Sequence, residues 1–151
     1  MESDFATLIA KFDRINGEGL KTAQRKALKA VGKIVQEAIV AKAPVRTDGT
    51  PAGTALKPGE LKADIKARVH ISTDVKAATD TSCVIIGPGK KTAHVARWVE
   101  NGHINTKAVK GAKNTPSHPF IRPAYDATKQ TVLDEYEAIM TAEIAKEMNN
   151  G

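Results

Sequence analysis

Apolar residues recur along this chain first at helical spacing, then in alternation, then at helical spacing again. Phe5, Leu8, Ile9, Phe12 and Ile15 share one helical face, with Ser3 or Asp4 placed to cap its start. Asn16-Gly17-Glu18-Gly19 interrupts that pattern. Two glycines so close would each cost about 1 kcal/mol inside a helix, so a turn or hinge is predicted there. A longer helix follows, in which Leu20, Ala27, Leu28, Val31, Ile34, Val35, Ala38 and Ile39 form one stripe, with Lys21, Arg25, Lys26, Lys29 and Lys33 mainly off it. Pro44 ends this helix by forcing Ala43 out of helical geometry.

The middle of the chain changes period. From Thr47 to Glu60 it is rich in proline, glycine and threonine, which predicts a long loop. Neither Gly49-Thr50-Pro51-Ala52-Gly53-Thr54 nor Lys57-Pro58-Gly59-Glu60 has the Gly-Lys-Ser/Thr ending of a phosphate-binding loop. Leu61 to Ile65 fits one helical turn. Ala67, Val69, Ile71 and Thr73 then alternate with Arg68, His70, Ser72 and Asp74, the period of a half-exposed strand. Thr81 to Ile86 reads as its antiparallel partner, closed by Gly87-Pro88-Gly89, with Lys76 to Asp80 as the short connection. Such a sheet leaves an edge open for pairing between subunits.

Ala93 to Asn101 fits a short helix better than a strand, because Val95, Trp98 and Val99 then share a face and Gly102 serves as a left-handed stop. Trp98 is expected in the core. Glu100, a carboxylate ending an apolar turn beside a loop, is expected to accept backbone or basic side-chain hydrogen bonds in a structural role. His103 to Ser117 reads as a second long loop, polar and basic. It leads into His118-Pro119-Phe120-Ile121-Arg122-Pro123-Ala124-Tyr125, a joint in which two prolines fix the backbone around an apolar anchor. Pro119 pushes His118 towards an extended conformation, Phe120 is buried where the joint meets the body, and Pro123 suits the first position of a helix. That helix runs towards Met148 with Tyr125, Val132, Leu133, Tyr136, Ile139, Met140 and Ile144 as its stripe.

The fold class that follows is α+β: a small antiparallel sheet packed against a long N-terminal helix and a long C-terminal helix, with two extended loops. At 151 residues a single domain over 1–151 is expected. The apolar share of 41% holds only 4% aromatics, so the core is aliphatic and built of small residues. The excess of 23 Lys and Arg over 17 Asp and Glu is mild, and a cationic face opposite an apolar stripe is ordinarily a solvated one. Cys83 is the single cysteine, which excludes an intramolecular disulfide and a cysteine-cluster metal site. Its apolar β-like setting predicts a buried structural thiol. The acidic start, Met1-Glu2-Ser3-Asp4, is unlike a signal peptide, and no apolar run reaches membrane-spanning length, so synthesis in the cytosol is expected.

Four phrases in order carry a family resemblance. They are Ala41-Lys42-Ala43-Pro44-Val45-Arg46-Thr47, Glu60-Leu61-Lys62-Ala63-Asp64-Ile65, Trp98-Val99-Glu100-Asn101-Gly102 and Pro119-Phe120-Ile121-Arg122-Pro123-Ala124. Together they resemble the tail-component and head-to-tail joining family of long-tailed bacteriophages and prophages, which includes tail completion and tail terminator proteins. The segment Asp48 to Gly59 is longer than the corresponding link in the family, and Asn101-Gly102-His103 stands where an aromatic-Gly-Thr phrase is more usual.

The resemblance implies an α+β subunit of a hexameric ring in the virion, at the head-to-tail junction, with no catalysis and no cofactor. Its partners would be copies of itself, the tail-tube protein and a head connector or stopper protein, without a membrane. In such a ring Thr47, Asp48, Thr50, Lys57 and Glu60 from the first loop and His103, Lys107, Lys110 and Lys113 from the second are the expected contacts between rings. Pro44, Trp98, Glu100, Gly102, Pro119, Phe120, Arg122 and Pro123 are the expected structural anchors. Lysines facing a lumen would give weak contact with passing DNA.

Other classes stay open beside this one. A neck or connector protein on the head side of the same junction fits the same features. A basic nucleic-acid-binding protein fits the charge, although the chain has no aromatic stacking motif and no recognised reading helix. A metal or catalytic site from His94, Glu100, His103 and His118 fits least, because no two of these histidines stand one helical turn apart around a glutamate.

Overall fold

The structure, a computed structural model, describes residues 19–45, 56–71, 82–104 and 114–149. The expected helix from Phe5 to Ile15 and the connection from Lys76 to Asp80 lie outside these residues. Helix α1 spans Leu20–Lys42 and helix α2 is a single turn, Glu60–Ala63. Strand β1 (Ile65–His70) and strand β2 (Cys83–Pro88) form a two-stranded antiparallel sheet. Helix α3 (Ala93–Asn101) follows, then the short strands β3 (His103–Ile104) and β4 (Asn114–Thr115), and finally the long helix α4 (Ile121–Asn149). The architecture is α+β, with the two long helices packed on the small sheet.

The chain gathers into two compact units. Of the described residues, one holds 19–33, 68–71, 82–85 and 130–149, the other 34–45, 56–67, 86–104 and 114–129. Each long helix contributes to both. In the first unit Ala23, Ala27, Leu28 and Val31 of α1 are buried, while Arg25, Lys26, Lys29 and Lys33 are exposed. The basic residues therefore occupy the solvated face that the stripe predicts. Lys26 pairs with Glu143 of α4, and the Ser82 hydroxyl donates to Gln24 Oε1 at 3.2 Å, which fixes α1 beside α4 and beside the start of β2. In the second unit Val35, Ile39 and Ala43 continue the buried stripe, and Gln36 Nε2 donates to the Ile65 carbonyl at 2.8 Å. The helix stops before Pro44, whose preceding residue is barred from helical geometry.

Several boundaries differ from the expected ones. Ile65 begins β1 and does not close the α2 turn, because Asp64 caps that turn with its N–H on the Glu60 and Leu61 carbonyls. Buried and exposed residues alternate along β1 as expected. Strand β2 runs on through Gly87 and Pro88, since a two-stranded ribbon has an outer edge where the missing proline N–H is not needed. Ile85 stays 63% exposed and Cys83 is half-buried, where a buried thiol was expected. The flanks of the expected loop His103–Ser117 form a ladder: His103 pairs with Thr115 and Ile104 with Asn114.

Candidate functional site

The second unit contains two joints that hold its elements in register, and most of the described candidate residues lie in them. The first is built on the α2 turn. Lys57 N–H donates to Glu60 Oε2 at 2.8 Å, and Glu60 also pairs with Lys91. Asp64 receives the Thr92 hydroxyl on Oδ2 at 2.9 Å and pairs with Lys66 at 3.0 Å, while its carbonyl accepts the Gly89 N–H at 2.9 Å. Thr92 is fully buried, so this hydroxyl has exchanged water for the Asp64 carboxylate. Glycine at 89 leaves room for this carboxylate, because a Cβ there would lie 2.4 Å from Asp64 Oδ1 and would displace it from Thr92. Hydrogen bonding from Lys91 holds the Glu60 carboxyl below its ordinary value, and Lys66 and then Thr92 do the same for Asp64.

The second joint is centred on Glu100. At the start of a helix the first N–H groups have no carbonyl one turn back. In α4 those donors are met by a carboxylate from another element: Phe120 and Ile121 N–H donate to Glu100 Oε2 at 2.8 and 3.0 Å, and Arg122 N–H donates to Oε1 at 3.1 Å. The next residue is Pro123, which has no N–H to satisfy. Pro123 therefore sits third in the helix, not first as expected, and serves the same purpose there. The negative charge at the N-terminal end of a 29-residue helix is also favourable to its dipole.

Phe120, 2% exposed, is buried beside this carboxylate, and His118 N–H donates to the Val99 carbonyl at 2.7 Å. The C-terminal turn of α3 is thus fastened to the start of α4 over five residues of chain. Gly102 makes the exit from α3 possible. Its φ of 72° is positive as expected, but its ψ of 167° is extended, so it is not a left-handed stop but lies in a region almost confined to glycine.

Partial burial pushes the Glu100 carboxyl up, but the Ile121, Phe120 and Arg122 N–H groups and the Arg122 charge outweigh it and hold the group below 4.5. A depressed carboxylate contributes stability above its unfolded pKa and loses it as pH falls through the folded one. Glu100→Gln keeps one acceptor oxygen but turns an amide N–H₂ towards a donor. It should cost about 1–2 kcal/mol at neutral pH, at the low end for three charge-assisted bonds because the carboxylate is partly solvated. The difference in urea midpoint between wild type and variant should shrink below pH 4.5. A difference unchanged across that range would show that the carboxylate charge does not support the joint.

Trp98 is 39% exposed, contrary to the expected core position. The buried face of α3 is centred on Ala96, whose small side chain allows close packing, and Trp98 lies two residues on, well round the helix. It stacks on His103 with ring centroids 5.0 Å apart and meets His94 edge-on at 5.2 Å. Among the described residues no three His, Cys, Asp or Glu side chains are grouped as a metal ion would require. Pro44 and Pro119 are exposed, as is Lys57. Thr47, Asp48, Thr50, Lys107, Lys110 and Lys113 lie outside the described residues. The Asp64–Gly89–Thr92 joint was not anticipated, and only the glycine between two apolar elements hinted at it.

The sequence profile of the bacteriophage HK97-gp10-like tail component matches residues 6–102, nearly two thirds of the chain. The match ends at Gly102, ahead of the Pro119–Ala124 phrase. No curated protein and no solved structure matches.

Proposed function

The chain belongs to the HK97-gp10-like family of bacteriophage tail components, and on that premise we propose that it forms a ring at the head-to-tail junction. The ring terminates or completes the tail and joins it to the head connector. Membership makes the protein a structural part of a phage tail that meets other tail or head proteins. Among the described residues no helix is long and apolar enough to cross a membrane. The finer role rests on one structural observation beside the match: the Glu100 joint fastens α3 to the start of α4 by its backbone, so the α3 turn and the helix entry share one fixed geometry.

A ring subunit needs such a fixed frame to set its diameter, and segments that meet the rings above and below. In this reading the whole chain, 1–151, acts as one subunit of a hexamer. The stretches around Thr47–Glu60 and His103–Lys113 supply the contacts between rings. Phages lacking this protein should accumulate filled heads and unjoined tails of irregular length, and supplying it in trans should restore joined particles. Normal tails joined to heads in its absence would overturn the reading; complete tails joined to nothing would place it on the head side, as a neck protein.

A further inference from the structure

The two long helices each expose a cluster of charge in the first unit, basic on α1 and mainly acidic on α4. In the first unit Arg25 and Lys29 stand one helical turn apart on the exposed face of α1, with Lys33 one turn further along the same ridge. On α4, Leu133, Asp134 and Glu137 are exposed and fall within one turn of each other, with Leu133, 54% exposed, beside the two carboxylates. Among the described residues no carboxylate pairs with Arg25 or Lys29. None of the described cations pairs with Asp134 or Glu137, and Asp134 accepts a hydrogen bond from the neutral Gln130 amide at 2.7 Å. The Lys26–Glu143 pair joins the helices within one copy and takes up neither ridge.

We propose that the Arg25–Lys29 ridge of one copy docks on the Leu133–Asp134–Glu137 ridge of the next, as the contact that propagates the ring; this rests on the ring reading above. The charges are opposite in sign and comparable in spacing. A four-residue step on α1 rises about 6 Å and the three-residue step on α4 about 4.5 Å, within reach of the long basic side chains. Their methylene stems cover Leu133 while their charged ends meet the carboxylates. Two different patches meet, so the contact is heterologous, the kind whose repetition builds a ring when the rotation between neighbours closes. Nucleic acid is the other acidic partner for the α1 ridge, but a complementary surface on the chain itself favours a second copy.

The test uses the full chain with two double variants, Arg25→Glu/Lys29→Glu and Asp134→Lys/Glu137→Lys, measured by sedimentation velocity. Each variant alone places like charges across the contact, and its half-assembly concentration should rise on the order of a hundredfold. An equal mixture of the two should assemble at the wild-type concentration, because each subunit again faces opposite charges. Thermal melting of each variant checks its fold, and Arg25→Gln/Lys29→Gln, which should weaken assembly less, serves if the reversals unfold. Variants that assemble like wild type, or a mixture of folded variants that fails to assemble, would overturn the inference and leave the ring reading standing. So would loss of duplex-DNA binding in the Arg25→Glu/Lys29→Glu variant with assembly unchanged. A wild-type chain that stays monomeric with and without tail tubes would overturn both.

Discussion

Replacing Phe120 by alanine should cost about 3–5 kcal/mol, a large part of the roughly 5–15 kcal/mol that holds a domain of this size together. Phe120 is the largest fully buried side chain among the described residues, at 2% exposure. Its removal takes a ring's worth of apolar surface out of the protein interior and leaves a cavity that the neighbours fill only in part. The same residue gives its N–H to Glu100, so a joint that relaxes towards the cavity also pulls on the cap of α4. Phe120→Leu, which keeps most of the volume, should cost roughly 1–2 kcal/mol. Pro119→Ala is the control: Pro119 is exposed, and its loss should change stability by less than about 1 kcal/mol. Urea midpoints at constant slope measure all three. A Phe120→Ala variant as stable as wild type would mean that the joint is not part of the protein's core.

Gly102→Ala should cost about 2–6 kcal/mol, from two sources that add. Backbone strain at φ 72° and ψ 167° contributes about 1–3 kcal/mol for any residue with a Cβ. The Cβ itself would lie 2.8 Å from the Thr115 carbonyl oxygen and 3.0 Å from the Ser117 nitrogen. Both are backbone atoms, and Thr115 is paired with His103, so neither swings away as a side-chain end would, and the overlap adds about 1–3 kcal/mol. The relief available is to separate β3 from β4. The emission of Trp98, the single tryptophan, reports it, because Trp98 stacks on His103, the residue after Gly102. The variant should melt lower and its Trp98 emission should change in the folded state. An unchanged melting temperature would contradict this account of the turn.

The parts of the fold legible in the sequence were those fixed by a local rule. The α1 stripe and its stop before Pro44, the alternation along β1, the burial of Phe120 and the backbone-accepting role of Glu100 all follow from spacing or from a single residue's chemistry. What the sequence hid was set by partners distant along the chain. Trp98 reads as core by composition, but the helix turns Ala96 inward because a small residue packs closer. Thr92 and Asp64, 28 residues apart, meet only once the α2 turn and the start of α3 are folded, and no local pattern announces a hydroxyl that caps a carboxylate across that distance. The ladder of His103–Ile104 with Asn114–Thr115 was hidden by its brevity, since two residues per strand show no alternation.

The sequence also held both halves of the proposed contact between copies, but not their relation. Lys and Arg off the α1 stripe read as a solvated face. Only beside an α4 face bearing Leu133, Asp134 and Glu137 do they become one side of a contact. Mild net charge conceals this, because the opposing ridges largely cancel in the total.

The mass of the purified protein in solution, alone and with tail tubes, followed by electron microscopy of the particle, tests the ring reading most directly. The account predicts a closed ring, formed alone or on the tube end, whose mass gives the copy number, six in the proposed hexamer. A strict monomer that ignores the tube and binds DNA at moderate salt would contradict it.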